Sequence, residues 1–308
     1  MRCTSVICTN RWHSQEVPLQ FTCLFLLYLL LLTSCATPTT KVPTPTPDMA
    51  PRHFNAHTFL HGVWKPDDLA FDMTGTIWFS DGVHGTIDRI NPDGTVSILL
   101  KGLKRPEGVV VLPDDTVVFA EQITNRILSF IPGATAPTLL RQMPGTASSA
   151  PCKDGINGIA FDPTTNTLII PDSPTGSVYR MSLDGKTQTL LVSGMARPDS
   201  AVVDKQGTIY IDAQCGGSIW RVPRSGSITH MDGFGMLDDI VIDPHGNLLV
   251  TDVSPSIHAL IRVNLATGKR EVLACQGYEK PEGLLVDAKD DIYLADDDVG
   301  KIEEYVPA

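Results

Sequence analysis

The sequence predicts an all-β chain folded as a six-bladed β-propeller closed by an N-terminal strand. Three observations carry that prediction. From residue 64 onward one pattern occurs six times: a polar residue, a short apolar run usually closed by Asp, a turn, and a second apolar run ended by an acid. Its first positions, Asp67, Glu107, Asn157, Asp199, Asp238 and Glu282, are spaced 40, 50, 42, 39 and 44 residues apart. Two weaker strand-like runs follow each copy, so each repeat holds four short strands, as a propeller blade does. The composition agrees, because 25 Gly and 23 Pro with only 6% aromatic residues favour short strands and turns over long helices. Residues 52–308 are expected to form one domain, since a single repeat cannot bury its own faces.

The first segment lies outside that array. Phe21 to Leu32 is an almost wholly apolar run. Twelve residues of helix cover about 18 Å, against the ~30 Å of a bilayer core. That length suits the apolar region of a secretory signal, giving a signal peptide over 1–34. Leu32-Thr33-Ser34-Cys35 resembles the bacterial lipobox, which implies lipidation of Cys35. An ordinary cleaved signal or an uncleaved anchor reads the same apolar run. Residues 35–51 are rich in Thr and Pro, cannot bury a core, and read as an extended tether. The expected location is therefore the bacterial cell envelope, outside the cytoplasm and lipid-anchored.

Each repeat then follows in order. Blade one reads DDLAFDMTGTIWFSD from Asp67, blade two EGVVVLPDDTVVFAE from Glu107, and blade three NGIAFDPTTNTLIIPD from Asn157. Blade four reads DSAVVDKQGTIYID from Asp199, blade five DDIVIDPHGNLLVTD from Asp238, and blade six EGLLVDAKDDIYLAD from Glu282. Blade six ends at Ala308 without an outermost strand, while His57-Thr-Phe-Leu-His-Gly-Val63 has no blade of its own. Pairing the two would close the ring and cover a sheet edge. The Asp after each first strand (Asp72, Asp162, Asp204, Asp243, Asp287) precedes a tight turn whose N–H groups it is expected to accept.

The innermost strand of every blade lines the central channel, so the six first positions should ring one mouth. Five are carboxylates and one is an amide. The acids ending the second strands (Asp81, Glu121, Asp172, Asp212, Asp252, Asp296) are expected near the same face as a second ring. Crowded carboxylates repel one another, and an oxygen-rich site for a hard divalent cation, Ca²⁺ above all, would resolve the conflict. The alternative is that these acids cap strands and bond neighbouring blades without metal.

Asn157-Gly-Ile-Ala-Phe-Asp162, Ile170-Pro-Asp-Ser173 and Arg197-Pro-Asp-Ser-Ala-Val-Val-Asp204 resemble the senescence-marker-protein/gluconolactonase family of six-bladed propellers. The resemblance implies a divalent-metal-dependent hydrolase of lactones or related esters. It makes Asn157 and Asp199 metal ligands, with Asp199 also the general base, and Glu282 in Lys280-Pro-Glu-Gly-Leu284 the third ligand. Glu107 stands where relatives often carry Asn and joins that set. Two departures are visible: the Glu blade comes last, and Ser rather than Gly follows Asp199. Asp67, Asp238 and His84 are the expected substrate contacts at the same mouth. The repeats also resemble generic NHL-type propellers, which points to a non-catalytic, surface-tethered binding module. Gly75-Thr-Ile-Trp-Phe-Ser-Asp81 with Ile90-Asn-Pro-Asp-Gly94 resembles the streptogramin lyases, a third possibility.

Charge and cysteine content narrow the partners. The formal net charge is −11, with 24 Lys+Arg against 35 Asp+Glu. Such a surface does not suit nucleic acid, whose phosphates need clustered cations. Membrane contact is left to the lipid anchor alone, and the expected partner of the mouth is a small molecule bound by a monomer. Cys152, Cys215 and Cys275 form no CxxC pair, which argues against a cysteine zinc site; they are expected to be small buried hydrophobes, with at most one disulfide among them. Cys215 has no base nearby in sequence to make it a nucleophile. His245 falls in a turn at the opposite mouth. No nucleophile elbow, P-loop or dinucleotide fingerprint occurs.

Overall fold

Alternating apolar runs separated by tight turns fold here into six four-stranded antiparallel sheets. The computed structural model describes residues 54–62 and 64–308. The expected signal segment, Cys35 and the tether lie outside the described residues. Strand β1 (Phe54–His61) precedes blade 1, which holds β2 (Pro66–Phe71), β3 (Ile77–Asp81), β4 (Thr86–Ile90) and β5 (Val96–Lys101). Blade 2 holds β6 (Pro106–Val111), β7 (Val117–Glu121), β8 (Arg126–Phe130) and β9 (Thr138–Gln142). Blade 3 holds β10 (Ala160–Asp162), β11 (Thr167–Asp172), β12 (Ser177–Ser182) and β13 (Gln188–Ser193). Blade 4 holds β14 (Pro198–Val203), β15 (Ile209–Ala213), β16 (Ser218–Val222) and β17 (Thr229–Asp232). Blade 5 holds β18 (Leu237–Ile242), β19 (Leu248–Asp252), β20 (Ala259–Val263) and β21 (Arg270–Ala274). Blade 6 holds β22 (Pro281–Val286), β23 (Ile292–Asp296) and β24 (Lys301–Pro307). Among the described residues no helix is long and apolar enough to cross a membrane.

The ring closes as the sequence suggests. β1 pairs antiparallel with β24, from Phe54 opposite Pro307 to His61 opposite Lys301, and completes the sixth sheet. It begins three residues earlier than the expected His57. Phe54 therefore lies at the face where β24 ends, opposite the mouth where the inner strands begin. The core sits between blades: Trp78, Ile87, Phe119 and Phe130 share one cluster across blades 1 and 2, and Leu60 of β1 joins Phe79, Ile302 and Tyr293 across blades 1 and 6.

A repeated bulge positions the channel residues. Pro66 pairs with Asp81 and Leu69 with Phe79, so Asp67 and Asp68 together face Ser80 alone. The same register shift occurs between Pro106 and Val109, Pro198 and Ala201, Leu237 and Ile240, and Pro281 and Leu284. A bulge bends its strand and re-aims a side chain, and here it presents the first residue of five of the six repeats to the channel. The second bulge residue links blades. Asp68 Oδ2 accepts from Val109 N at 2.8 Å, and Asp239 Oδ2 accepts from Leu284 N at 2.7 Å. Gly108 and Gly283 are glycines because a Cβ there would collide with the backbone carbonyl oxygens of Asn157 and Asp67. Blade 3 differs: β10 starts only at Ala160, so Asn157 precedes its strand.

The turn acids behave as expected. Asp72 Oδ1 accepts from Thr74 N (2.8 Å) and Thr76 N (3.0 Å), and Asp243 Oδ1 from His245 N (2.9 Å) and Asn247 N (2.8 Å). Two expectations need correction. Asp212 is not equivalent to the other strand-ending acids, because Ala213 pairs with Pro198 and leaves Asp212 opposite the bulge, where it accepts from Ser200 N at 2.6 Å. The turn of blade 4 is as long as that of blade 1, and its acid stands one residue earlier on the second strand than Asp81 does. The cysteines are not isolated buried hydrophobes: Cys152 and Cys215 form a disulfide with Cα atoms 6.0 Å apart, and Cys275 is disulfide-bonded as well. The Cys152–Cys215 link ties the loop before blade 3 to the loop after β15.

Candidate functional site

All six ring residues are buried at the channel mouth. The structure divides them into two neighbourhoods. On one side Asn157 Nδ2 donates to Asp199 Oδ2 at 3.2 Å, and Gln214 Nε2 donates to Asp199 Oδ2 at 3.2 Å and to Asp238 Oδ1 at 2.7 Å. On the other, Asp67, Glu282 and Asp297 bring ligand oxygens within 4.8 Å of one another. Glu107 stands beside Asp67. Among the described residues, Asp199 and Glu107 do not join Glu282 in such a group.

Burial dominates the electrostatics. It lifts the Asp67 carboxyl to about 6 and holds Glu107, Asp199 and Glu282 well above the ordinary carboxylate range. Neighbouring acids add to each rise: Asp67 for Glu107, Asp238 for Asp199, and Asp67 with Asp238 for Glu282. Basic residues oppose it. Arg105 Nε lies 2.5 Å from Glu107 Oε1, Arg197 Nε lies 3.2 Å from Asp199 Oδ1, and Lys280 Nζ is paired with Glu282 Oε1. Arg197 also donates to Gln214 Oε1 and reaches Asp154 at 3.6 Å, beside the Cys152–Cys215 link.

The second acidic ring is engaged elsewhere. Asp81 accepts from Lys65 N (2.9 Å), Glu121 from Lys104 N (2.8 Å), Asp172 from Gly145 N (3.0 Å), Asp252 from Gly235 N (2.9 Å) and Asp296 from Glu279 N (3.0 Å). These carboxylates fasten the loops that lead into the inner strands. His84 sits at the rim with its side chain 48% exposed, and its Nδ1 lies 2.7 Å from Asp81 Oδ2. That contact leaves Nε2 as the nitrogen available to a ligand.

Arg105, Arg197, Lys280, Gln214 and Asp297 escaped the sequence reading. A signal for the first three was present: Arg105-Pro-Glu107, Arg197-Pro-Asp199 and Lys280-Pro-Glu282 repeat a basic residue two positions before a ring acid. Nothing local marks Gln214 or Asp297. Below the ring, a cavity with room for one water-sized sphere, about 10 Å³, is bounded by Asp67, Asn157, Ser200, Asp238 and Asp239. The lower channel is a wider, mostly apolar space of about 300 Å³ between residues such as Phe71, Val111, Phe161 and Leu285.

The divalent cation implied by the resemblance can be tested against these side chains. Buried oxygens without partners, Glu282 Oε2 and Asp297 Oδ1, call for positive charge. Each acid expected as a ligand, however, already carries a fixed cation: Arg105 on Glu107, Arg197 on Asp199 and Lys280 on Glu282. One oxygen of each acid is faced by the chain's own cation, so the charge a divalent ion would bring is already supplied and the arrangement does not fit one as it stands.

No protein-family model matches the chain. It is similar to the gluconolactonase of Zymomonas mobilis, 24% identical over 173 residues, covering 48% of each chain. It is also similar to the virginiamycin B lyase of Nocardia farcinica, 24% identical over 164 residues and covering 53% of each. The chain spans about half the length of these curated relatives. Among solved structures, a gluconolactonase from Xanthomonas campestris superposes with a TM-score of 0.66 at 16% identity, covering 83% of this chain and 91% of that one. The virginiamycin B lyase of Staphylococcus aureus gives 0.60 at 18% identity, covering 78% and 80%. This chain thus has the six-bladed propeller fold to which gluconolactonases and streptogramin lyases are similar.

Proposed function

We propose that the protein hydrolyses lactones or related esters at the mouth ringed by Asp199 and its neighbours. The observation that carries this reading is Asp199: a fully buried carboxyl, raised by burial, hydrogen-bonded by Asn157 and Gln214 and facing Arg197. A carboxylate raised toward neutral pH is a stronger general base than a solvated one. Asp199 takes a proton from water, whose oxygen attacks the ester carbonyl. Arg197, beside Asp199, faces the negative charge that develops on the carbonyl oxygen. The acyl–oxygen bond then breaks, and the proton held by Asp199 passes to the departing alkoxide.

A second reading, elimination of the lyase type, is favoured by His84. Asp81, fully buried, holds Nδ1 of a half-exposed imidazole, an arrangement suited to removing a proton from carbon. Ring opening in water labelled with heavy oxygen distinguishes the two. Hydrolysis places one labelled oxygen in the product and is lost in Asp199→Asn. Elimination places none, creates a carbon–carbon double bond, and is lost in His84→Ala. Tight ligand binding without turnover by either route leaves the binding-module reading.

The expected location is also a proposal. The Cys152–Cys215 disulfide supports an oxidising compartment outside the cytoplasm. Lipidation of Cys35 would anchor the chain to the cell envelope. Loss of fatty-acid labelling in Cys35→Ala tests the anchor.

A further inference from the structure

Among the described residues, Asp67, Glu282 and Asp297 are the group of carboxylates drawn together as cation ligands would be. All three are buried, and Glu282 Oε2 and Asp297 Oδ1 find no hydrogen-bond donor. Three carboxylates in this setting demand a positive charge. The chain provides one within the group itself. Lys280 Nζ is paired with Glu282 Oε1 and donates to Asp297 Oδ2 at 3.3 Å, and its charge also acts on Asp67.

The delivery of that ammonium is built into the backbone. Lys280 N donates to Asp296 Oδ1 at 3.1 Å, which fastens the residue at the end of β23. Pro281 follows with its fixed φ, and the bulge of β22 then turns Glu282 to the channel. Lys280 and Glu282 thus reach the mouth from the same short segment, while Asp67 and Asp297 arrive from blade 1 and from the turn after β23.

We propose that Lys280 is the resident cation of this mouth, holding the place of a divalent ion, so that the protein works without metal and its loss uncovers a latent divalent-cation site formed by Asp67, Glu282 and Asp297. An ammonium and a divalent ion cannot both occupy the same carboxylate oxygens. With the ammonium gone, Glu282 and Asp297 each present both oxygens, and water can complete the six to eight ligands that Ca²⁺ takes.

The inference deepens the hydrolase reading but is tested without turnover. Calcium is titrated calorimetrically into the parent chain, Lys280→Arg, Lys280→Gln and Lys280→Ala, with melting followed in EDTA and in excess calcium. The parent and Lys280→Arg are expected to show no calcium binding and the same melting temperature in both solutions. Lys280→Gln and Lys280→Ala are expected to bind one Ca²⁺ in the sub-millimolar range, at least about tenfold tighter than the parent, and to be stabilised by it. Adding Glu282→Gln should abolish the new site. Stoichiometric calcium binding by the parent, removed by Glu282→Gln, overturns the proposal. So does a folded Lys280→Gln or Lys280→Ala that remains blind to calcium. Failure to find a lactone substrate would sink the hydrolase reading and leave these outcomes unchanged.

Discussion

Asp243 looks in the sequence like any other turn acid, and the structure predicts that its removal is far more damaging. Asp243→Ala deletes acceptors for His245 N and Asn247 N, as Asp204→Ala deletes acceptors for Gln206 N and Thr208 N. Each lost hydrogen bond costs about 1 kcal/mol, so the shared part is about 2 kcal/mol in both variants. Asp243 differs in accepting also from the buried Asn247 Nδ2 and in facing Arg262, whose side chain is 1% exposed, with Nε 3.4 Å from Asp243 Oδ2. The guanidinium also lies 5.5 Å from the ring centroid of Phe54 on the closing strand. Removing one partner of a buried pair leaves an uncompensated charge and costs about 3–5 kcal/mol. Glu271 and Asp290, at 3.8 and 3.9 Å, soften that penalty. Asp243→Ala should therefore lose about 3–5 kcal/mol in total, against about 2 for Asp204→Ala. Urea unfolding of Asp243→Ala, Arg262→Met and the double variant measures the coupling directly. If Asp243→Ala is no less stable than Asp204→Ala, the buried pair is not what holds this corner.

Replacing Cys152 and Cys215 with Ser opens a link across 63 residues, which chain entropy values at about 4 kcal/mol; the melting temperature should fall by about 10 °C, and an unchanged melt would refute that account. Asp199→Asn should lower ester turnover by about 10²–10⁴-fold while leaving the fold intact, as read by steady-state kinetics beside circular dichroism. Burial holds Asp67 and Asp239 at about 6 against an ordinary 3.8, so the folded state keeps protons the unfolded chain has released. Stability should consequently fall as pH rises from about 4 through about 6. Burial also pushes Asp162 upward, but hydrogen bonds from Thr164, Arg180 and Thr165 outweigh it and hold the carboxyl at about 2, so its contribution is lost only in stronger acid. Melting temperatures across this range should peak near pH 4; a steady rise to pH 7 would contradict the assignment. Deleting β1 exposes the edge of β24 and removes Leu60 from its cluster, a loss of about 2–5 kcal/mol from that side chain alone, checked by denaturant titration.

What the sequence determined by itself was the architecture and the face that matters. Six copies of one pattern, each with an acid or amide in the same place, are local information, and so are the turn acids and the unpaired strand at each terminus. Those signals place Asp67, Glu107, Asn157, Asp199, Asp238 and Glu282 at one mouth from the sequence alone. Tertiary structure decided which of them meet. Asn157 joins Asp199 across 42 residues, Asp67 approaches Glu282 where the ring brings blade 1 against blade 6, and Cys152 finds Cys215 on the next blade. It also decided how the acids are neutralised, through Arg105, Arg197 and Lys280, and that Asp212 belongs to a bulge rather than to a ring. The reason is physical: strand periodicity and turn chemistry act over a few residues, whereas the partner of a buried charge is set by ring closure and strand register, which bring together residues far apart in the chain.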